Sequence, residues 1–241
     1  IGGSDASLQK ASPPGFLLAT NLVNRDVQAQ LPGGVGGTST STLTAGGDVR
    51  VEASVASVVT ADVELNKAAN LGATSAGAAA RNLVRQALEA IVANQNVNAT
   101  GAVAVTARDA SSLGTSIDGA IRTAQVFGDG AYGLAEYGLI SANHLMGGLT
   151  AQVLDSDVTA GKDLDVRAHA ARLVNASHTA VLGPDGLGTG GTLAFNTLGW
   201  SVAGLLQPSN TDDLVMSNLT QGDSADVVAK VLRSSTTVGG A

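Results

Sequence analysis

The chain repeats itself, and this constrains its fold more than any other feature. "NLVNRDVQAQL" begins at Asn21, "NLVRQALEAIV" at Asn82 and "NHLMGGLTAQV" at Asn143, three starts 61 residues apart. A second set of similar stretches begins at 43 ("LTAGGDVRVEA"), 97 ("VNATGAVAVTA"), 158 ("VTAGKDLDVRA") and, more weakly, 219 ("LTQGDSADVVA"). Its intervals are 54, 61 and 61 residues. The short first interval coincides with extra residues, "GGVGGTSTS" (33–41), between the two markers of the first copy, which read as a surface insertion. A fixed period of this length identifies a repeat architecture, in which each copy buries its apolar face against the next.

Inside the copies the apolar pattern has period 2. From Leu43 to Val63 every odd position is small or apolar except Ser57, while even positions include Asp48, Arg50, Glu52, Thr60 and Asp62. Such alternation belongs to a strand with one buried face. The stretch 79–96 also carries a helical stripe, Leu83, Val84, Ala87, Leu88, Ile91 and Val92. Its counterparts "DVQAQL" (26–31) and "GLTAQV" (148–153) alternate instead, and Gly147-Gly148 stands where a helix interior would be. Strands are therefore expected throughout. The predicted fold is all-β, a single-stranded parallel β-helix (β-solenoid) with a repeat of about 61 residues making roughly three coils. Corners are expected at "AGGD" (45–48), "ATGA" (99–102), "AGKD" (160–163) and "QGDS" (221–224). A dozen coils would make a rod about 55–60 Å long. The expected organisation is a leader or linker over 1–14, a solenoid over 15–235 and a tail over 236–241. The solenoid divides into repeats at about 21–81, 82–142, 143–203 and 204–235.

Composition agrees with a thin core. Aromatic residues are 2% of the chain, and its apolar mass is mostly Ala, Val and Leu. The net charge of −7 and the lack of a basic run argue against nucleic acid as a partner. The absence of cysteine excludes disulfides, thiolate chemistry and cysteine-ligated zinc. No apolar run is long enough for a membrane-spanning helix, so no membrane insertion is expected. The opening "IGGSDASLQKASPPGF" is neither an initiator Met nor a signal peptide, and is expected to mark a processed product or fragment.

The stretches "NLVNRDVQAQL…LTAGGDVRVEASVASVV" and "VTAGKDLDVRAHA" resemble the repeat regions of filamentous-haemagglutinin-like adhesins and autotransporter passengers of bacteria. The similarity covers most of 15–235 as the pattern "V.AGGD..V.A". It implies a right-handed parallel β-helix, export to the bacterial cell surface, and a role in adhesion or a surface fibre. The implied partner is a cell-surface or matrix glycan or protein. No site residue transfers with the resemblance, because the repeat is a scaffold pattern.

Five features of the sequence could carry chemistry. "GLGTGG" (186–191) matches a dinucleotide fingerprint but lacks the helix that must follow it. "SLQK" (7–10) lacks the partner motifs of a serine acyl-enzyme. His144, His169 and His178 have no ligand-type spacing. Asp155/Asp157, Asp163/Asp165 and Asp212/Asp213 suggest a polysaccharide-cleaving or calcium site, against the plainer reading of solvated corner carboxylates. Phe127, Tyr132 and Tyr137 form a candidate sugar- or partner-binding patch, or else a loop packed on the rod. No catalytic constellation and no cofactor are expected. The segments 32–42, 125–140 and 182–195 are expected as variable surface loops. The leading expectation is a structural or adhesive module of a secreted or cell-surface exoprotein. Its alternatives are a filament subunit polymerising by end-to-end strand pairing, and a β-helix polysaccharide lyase or hydrolase.

Overall fold

A computed structural model describes residues 15–33, 41–69, 74–123, 134–182, 187–202, 219–221 and 224–239. All regular structure among them is β-strand. The first layer holds β1 (Gly15–Pro32), β2 (Ser41–Ala45), β3 (Val49–Val55) and β4 (Val58–Ala69). The second holds β5 (Thr74–Ala93), β6 (Gln95–Ala99), β7 (Val103–Asp109) and β8 (Ser112–Thr123). The third holds β9 (Leu134–Met146), β10 (Leu149–Leu154), β11 (Asp157–Ala160), β12 (Leu164–Ala170) and β13 (Leu173–Leu182). Among the described residues the fourth holds β14 (Leu187–Leu198), β15 (Trp200–Val202), β16 (Leu219–Gln221), β17 (Val227–Leu232) and β18 (Ser235–Val238).

Corresponding strands of successive layers pair in parallel and form four sheets. Sheet I joins β1, β5, β9 with β10, and β14 with β17; sheet II joins β2, β6, β11 and β18. Sheet III joins β3, β7 and β12, and sheet IV joins β4, β8 and β13. Only β15 and β16 pair antiparallel among the described strands.

The register corrects the expected coil count. Gly15 pairs with Ala76, Thr74 with Ala135, Leu88 with Leu149 and Val103 with Leu164, each 61 residues on. One repeat is therefore one layer, not three coils. The reason is strand length, since β1 runs 18 residues and β5 runs 20 without a corner. Each Gly-rich corner recurs once per repeat because a layer has one such corner, between sheets II and III. The dozen-coil rod gives way to four layers, about 15 Å from first to fourth strand, while β5 alone spans about 65 Å. The fourth copy is also realigned. Val227 pairs with Leu149 and Ser235 with Asp157, so "ADVVAKVL" (225–232) matches "GGLTAQVL" (147–154) rather than 158–168. The extra length of the first copy shows in the register. The offset to the second layer falls from 61 at Pro32 to 54 at Ser41.

Sheet I forms one wall, sheets III and IV face it, and sheet II closes one end. The alternation read from Leu43 to Val63 points as expected: Val51, Ala53, Val55, Ala61 and Val63 are buried, and Asp48, Arg50, Glu52, Thr60 and Asp62 are exposed. Ser57 faces inward too, and its Oγ lies 2.9 Å from Ser111 Oγ. The core forms three apolar blocks along the walls. Leu88, Ala90 and Val92 meet Val97, Val103 and Val105 in the first, and Ala78 and Ala80 meet Ile117 and Ile121 in the second. Val84, Leu145 and Leu113 form a small block between them. Second-layer side chains such as Leu88 and Val105 are fully buried because strands cover them on both sides. Val227 and Val231, stacked on buried Leu149 and Val153, remain 46% and 42% exposed at the open fourth layer.

Candidate functional site

Two polar seams cross the space between the walls. The first is an asparagine ladder. Asn21, Asn82, Asn143 and Asn196 share one register position of sheet I. Asn21 Nδ2 donates to Asn82 Oδ1 at 2.8 Å, Asn82 Nδ2 to Asn143 Oδ1 at 2.9 Å, and Asn143 Nδ2 to Asn196 Oδ1 at 2.9 Å. Each also reaches across to sheet IV. Their Nδ2 atoms donate to the carbonyls of Thr60 at 2.6 Å, Gly114 at 2.7 Å, Asn175 at 2.7 Å and Val174 at 3.3 Å. The second seam lies four residues further along sheet I. Arg172 Nε donates to Asp109 Oδ2 at 2.6 Å, with the two side chains 5% and 0% exposed. Arg172 Nη2 also donates to the Gly147 carbonyl, Ser111 N to Asp109 Oδ1, and Gln86 Nε2 to Ser111 Oγ. Gly147 has φ +94°, and a Cβ there would overlap the Gln86 carbonyl, so this position requires glycine. The seams pair most of their buried polar groups, leaving Gln86 Oε1 without a hydrogen-bond partner, and link the walls, a structural task.

The candidate contact site is on the outer face of sheet III. Three register rows cross it: Arg50, Ala104, Asp165; then Glu52, Thr106, Arg167; then Ser54, Arg108, His169. Ala104 and Thr106 form the floor of a trough of about 510 Å³. Arg50–Glu52 at 2.8 Å and Arg167–Asp165 at 2.7 Å flank the floor along its two outer strands. These exposed pairs contribute little to stability. Arg108 and His169 lie side by side at one end, both exposed, with no ion pair to another described residue. The trough thus gathers three arginines and a histidine against two carboxylates, on a chain of net charge −7. A shallow floor with flanking donors suits polar or acidic groups of a ligand.

His169 faces outward, and Arg172, out of phase with it, turns into the core after β12 ends at Ala170. His144 is fully buried on the outer side of sheet I, with Nδ1 2.8 Å from Thr197 Oγ1 and its ring edge-on to Phe195. Burial, and then the nearby Arg81 charge, lower its pKa to about 4. His178 is half-buried on the inner side of sheet IV, beside Ile117. Asp155 forms a two-bond pair with Arg233, Asp157 faces outward from β11, and Asp163 lies in a corner. Among the described residues no three His, Asp or Glu side chains converge as a metal site. Residues 187–191 of the Gly-rich run begin β14, which continues as strand to Leu198 where a nucleotide fold needs a helix. Tyr137 is half-buried against the core, with its ring over Gly190. Phe127, Tyr132, Ser7–Lys10 and Asp212/Asp213 lie outside the described residues. The surface loops expected over 125–140 and 182–195 are strand from 134 and from 187 onward.

Sequence reasoning found the recurring Asn21, Asn82 and Asn143 without assigning them a role. An amide at an inward strand position, repeated at the period of the fold, was the available signal for a ladder. Comparison of the chain with known family models, curated proteins and solved structures finds no match.

Proposed function

We propose that the chain winds as one β-solenoid, right-handed like the exoproteins its repeats resemble. We further propose that it serves as a structural and adhesive module of a bacterial secreted or cell-surface protein. The observation that carries this reading is the register. Side chains 61 residues apart stack in line, and the asparagine ladder and the Asp109–Arg172 pair tie the walls together. A wall so fixed can hold a trough rigidly towards a partner, which reduces the ordering cost of binding. The partner would be a glycan or protein bearing polar or acidic groups, taken up between Arg108, His169 and the flanking pairs.

The test is binding of labelled chain to epithelial cells, matrix proteins and immobilised glycans. Saturable binding that Arg108→Glu weakens at least about tenfold supports the reading. No saturable binding, or binding indifferent to Arg108→Glu and His169→Glu, refutes the assignment of the trough. A second reading, filament growth by end-to-end strand pairing, is favoured by the exposure of the inward-facing Val227, Val231 and Val238. Particles that lengthen with concentration in electron micrographs would support it.

A further inference from the structure

Sheet I is apolar on both faces at the end where β1 begins. Its inner side carries Leu17 and Ala19, as a core strand should. On its outer side Phe16, Leu18 and Leu22 are 59%, 56% and 73% exposed. A sheet with one solvated face ordinarily alternates polar outward. A contiguous apolar face of this kind marks a contact surface.

The face has relief. Gly138 and Gly191 share one register position, and nothing stands within 4 Å of where their Cβ atoms would be. They are open holes. Two residues along the strands, Leu18, Ala79, Ile140 and Leu193 share the next outward position; Ile140 and Leu193 stand together as a ridge, and the small Ala79 is buried between Leu18 and Ile140. Two residues further, Arg81 is half-buried and forms no hydrogen bond or ion pair with any described residue. On the other side of the holes stands Glu136, exposed beside Phe16 in an open groove of about 410 Å³. Along one molecule Arg81 and Glu136 are about 20 Å apart and cannot meet.

We propose that a second copy of this chain covers the face, the two sheets packing about a twofold axis parallel to the layer stacking. That operation exchanges the ridge and hole positions. Ile140 and Leu193 of each copy enter the spaces over Gly138 and Gly191 of the other, and Leu18 meets Phe16. It also brings Arg81 of each copy to Glu136 of the other, one strand spacing aside. Arg81, which has no counter-ion among the described residues, thus gains one in each copy. Four strands by seven residues give about 450 Å² on each copy, about 900 Å² summed over both. That area lies just below the roughly 1,000 Å² of specific interfaces, so the dimer is a weak, reversible one.

The experiment is sedimentation equilibrium of the full chain from about 1 to about 300 µM, a range that brackets such an association. Wild type is expected to approach a dimer and grow no further. Arg81→Glu and Glu136→Arg should each weaken association at least about tenfold, and their combination should restore it. A Cβ at Gly138 would meet no atom within 4 Å and the position faces outward, so Gly138→Leu should leave circular dichroism and melting unchanged while abolishing the dimer. A monomer at every concentration overturns the proposal. Association indifferent to Gly138→Leu and to charge reversal overturns it in favour of another surface. Species that keep growing overturn it in favour of end-to-end pairing. None of these outcomes bears on the sheet III trough, whose test is separate.

Discussion

Asn82→Ala measures what the asparagine ladder contributes. Asn82 is fully buried in the second layer. It accepts one bond from Asn21 and donates two short ones, to Asn143 Oδ1 and the Gly114 carbonyl. Three lost bonds amount to about 3 kcal/mol at about 1 kcal/mol each. Asn143 Oδ1 is also left without the donor of Asn82, which adds about 1 kcal/mol or more. The expected loss is about 4 kcal/mol, or about 10 °C in melting temperature for a chain of this size. Asn196→Ala is the milder comparison, because Asn196 is exposed at the open fourth layer, where it accepts one bond from Asn143 and donates one long bond to Val174. With two bonds lost at an exposed site, it should cost about 1–2 kcal/mol, well below the loss at Asn82. Asn82→Asp sharpens the test. Its carboxylate would face two acceptors, so the folded state raises its pKa and the variant should gain stability as pH falls through that value. Thermal and urea melts followed by circular dichroism read all three. Equal losses for Asn82→Ala and Asn196→Ala, or no gain for Asn82→Asp in acid, would refute the ladder as a link between the walls.

Three other perturbations have defined outcomes. Arg172→Ala strands the buried Asp109 carboxylate and should cost about 3–5 kcal/mol; urea melts should show most of that recovered in the double variant Arg172→Met with Asp109→Leu. Val105→Asp places a charge between the stacked Val51 and Val166, and loss of the cooperative melt at neutral pH is expected. His144 stays neutral in the fold down to about pH 4, whereas its unfolded value is about 6.5. Below 6.5 the unfolded chain takes up a proton that the folded chain refuses. Stability should therefore fall by about 3 kcal/mol between pH 6.5 and 4 and level off below, and His144→Gln should remove that component from melts run against pH.

How much of this was legible depends on the range of the interaction. The strand assignment of 79–94 was readable because Gly147-Gly148 and "DVQAQL" (26–31) argued against a helix at the equivalent position. The inward face of 43–63 followed from the alternation. The departure of Arg172 from the outward phase of Arg167 and His169 marked the end of β12. The number of coils per repeat was not readable. It depends on whether a 20-residue strand bends, and Asn82 and Gln86, which resemble corner residues, lie within β5 facing inward. Polar residues inside a strand signal a turn unless a partner satisfies them. Here the partners are 25 to 61 residues away.

The same reasoning separates the two outer surfaces. Arg50–Glu52 and Asp165–Arg167 are neighbours two apart on one strand, so half of the trough was present in the sequence as charge alternation. Its other half needed the register that sets Arg108 beside His169. The apolar outer face of sheet I left a local trace too, since "GFLLA" (15–19) and "GLIS" (138–141) do not alternate. A strand that keeps its apolar residues on both sides is satisfied only when both sides are covered. Within this chain the inner side is covered by sheet IV, whereas Phe16, Leu18 and Leu22 still face water on the outer side. The free energy still to be gained there makes a self-docking face, with Arg81 and Glu136 as its polar pair, the economical completion of this fold.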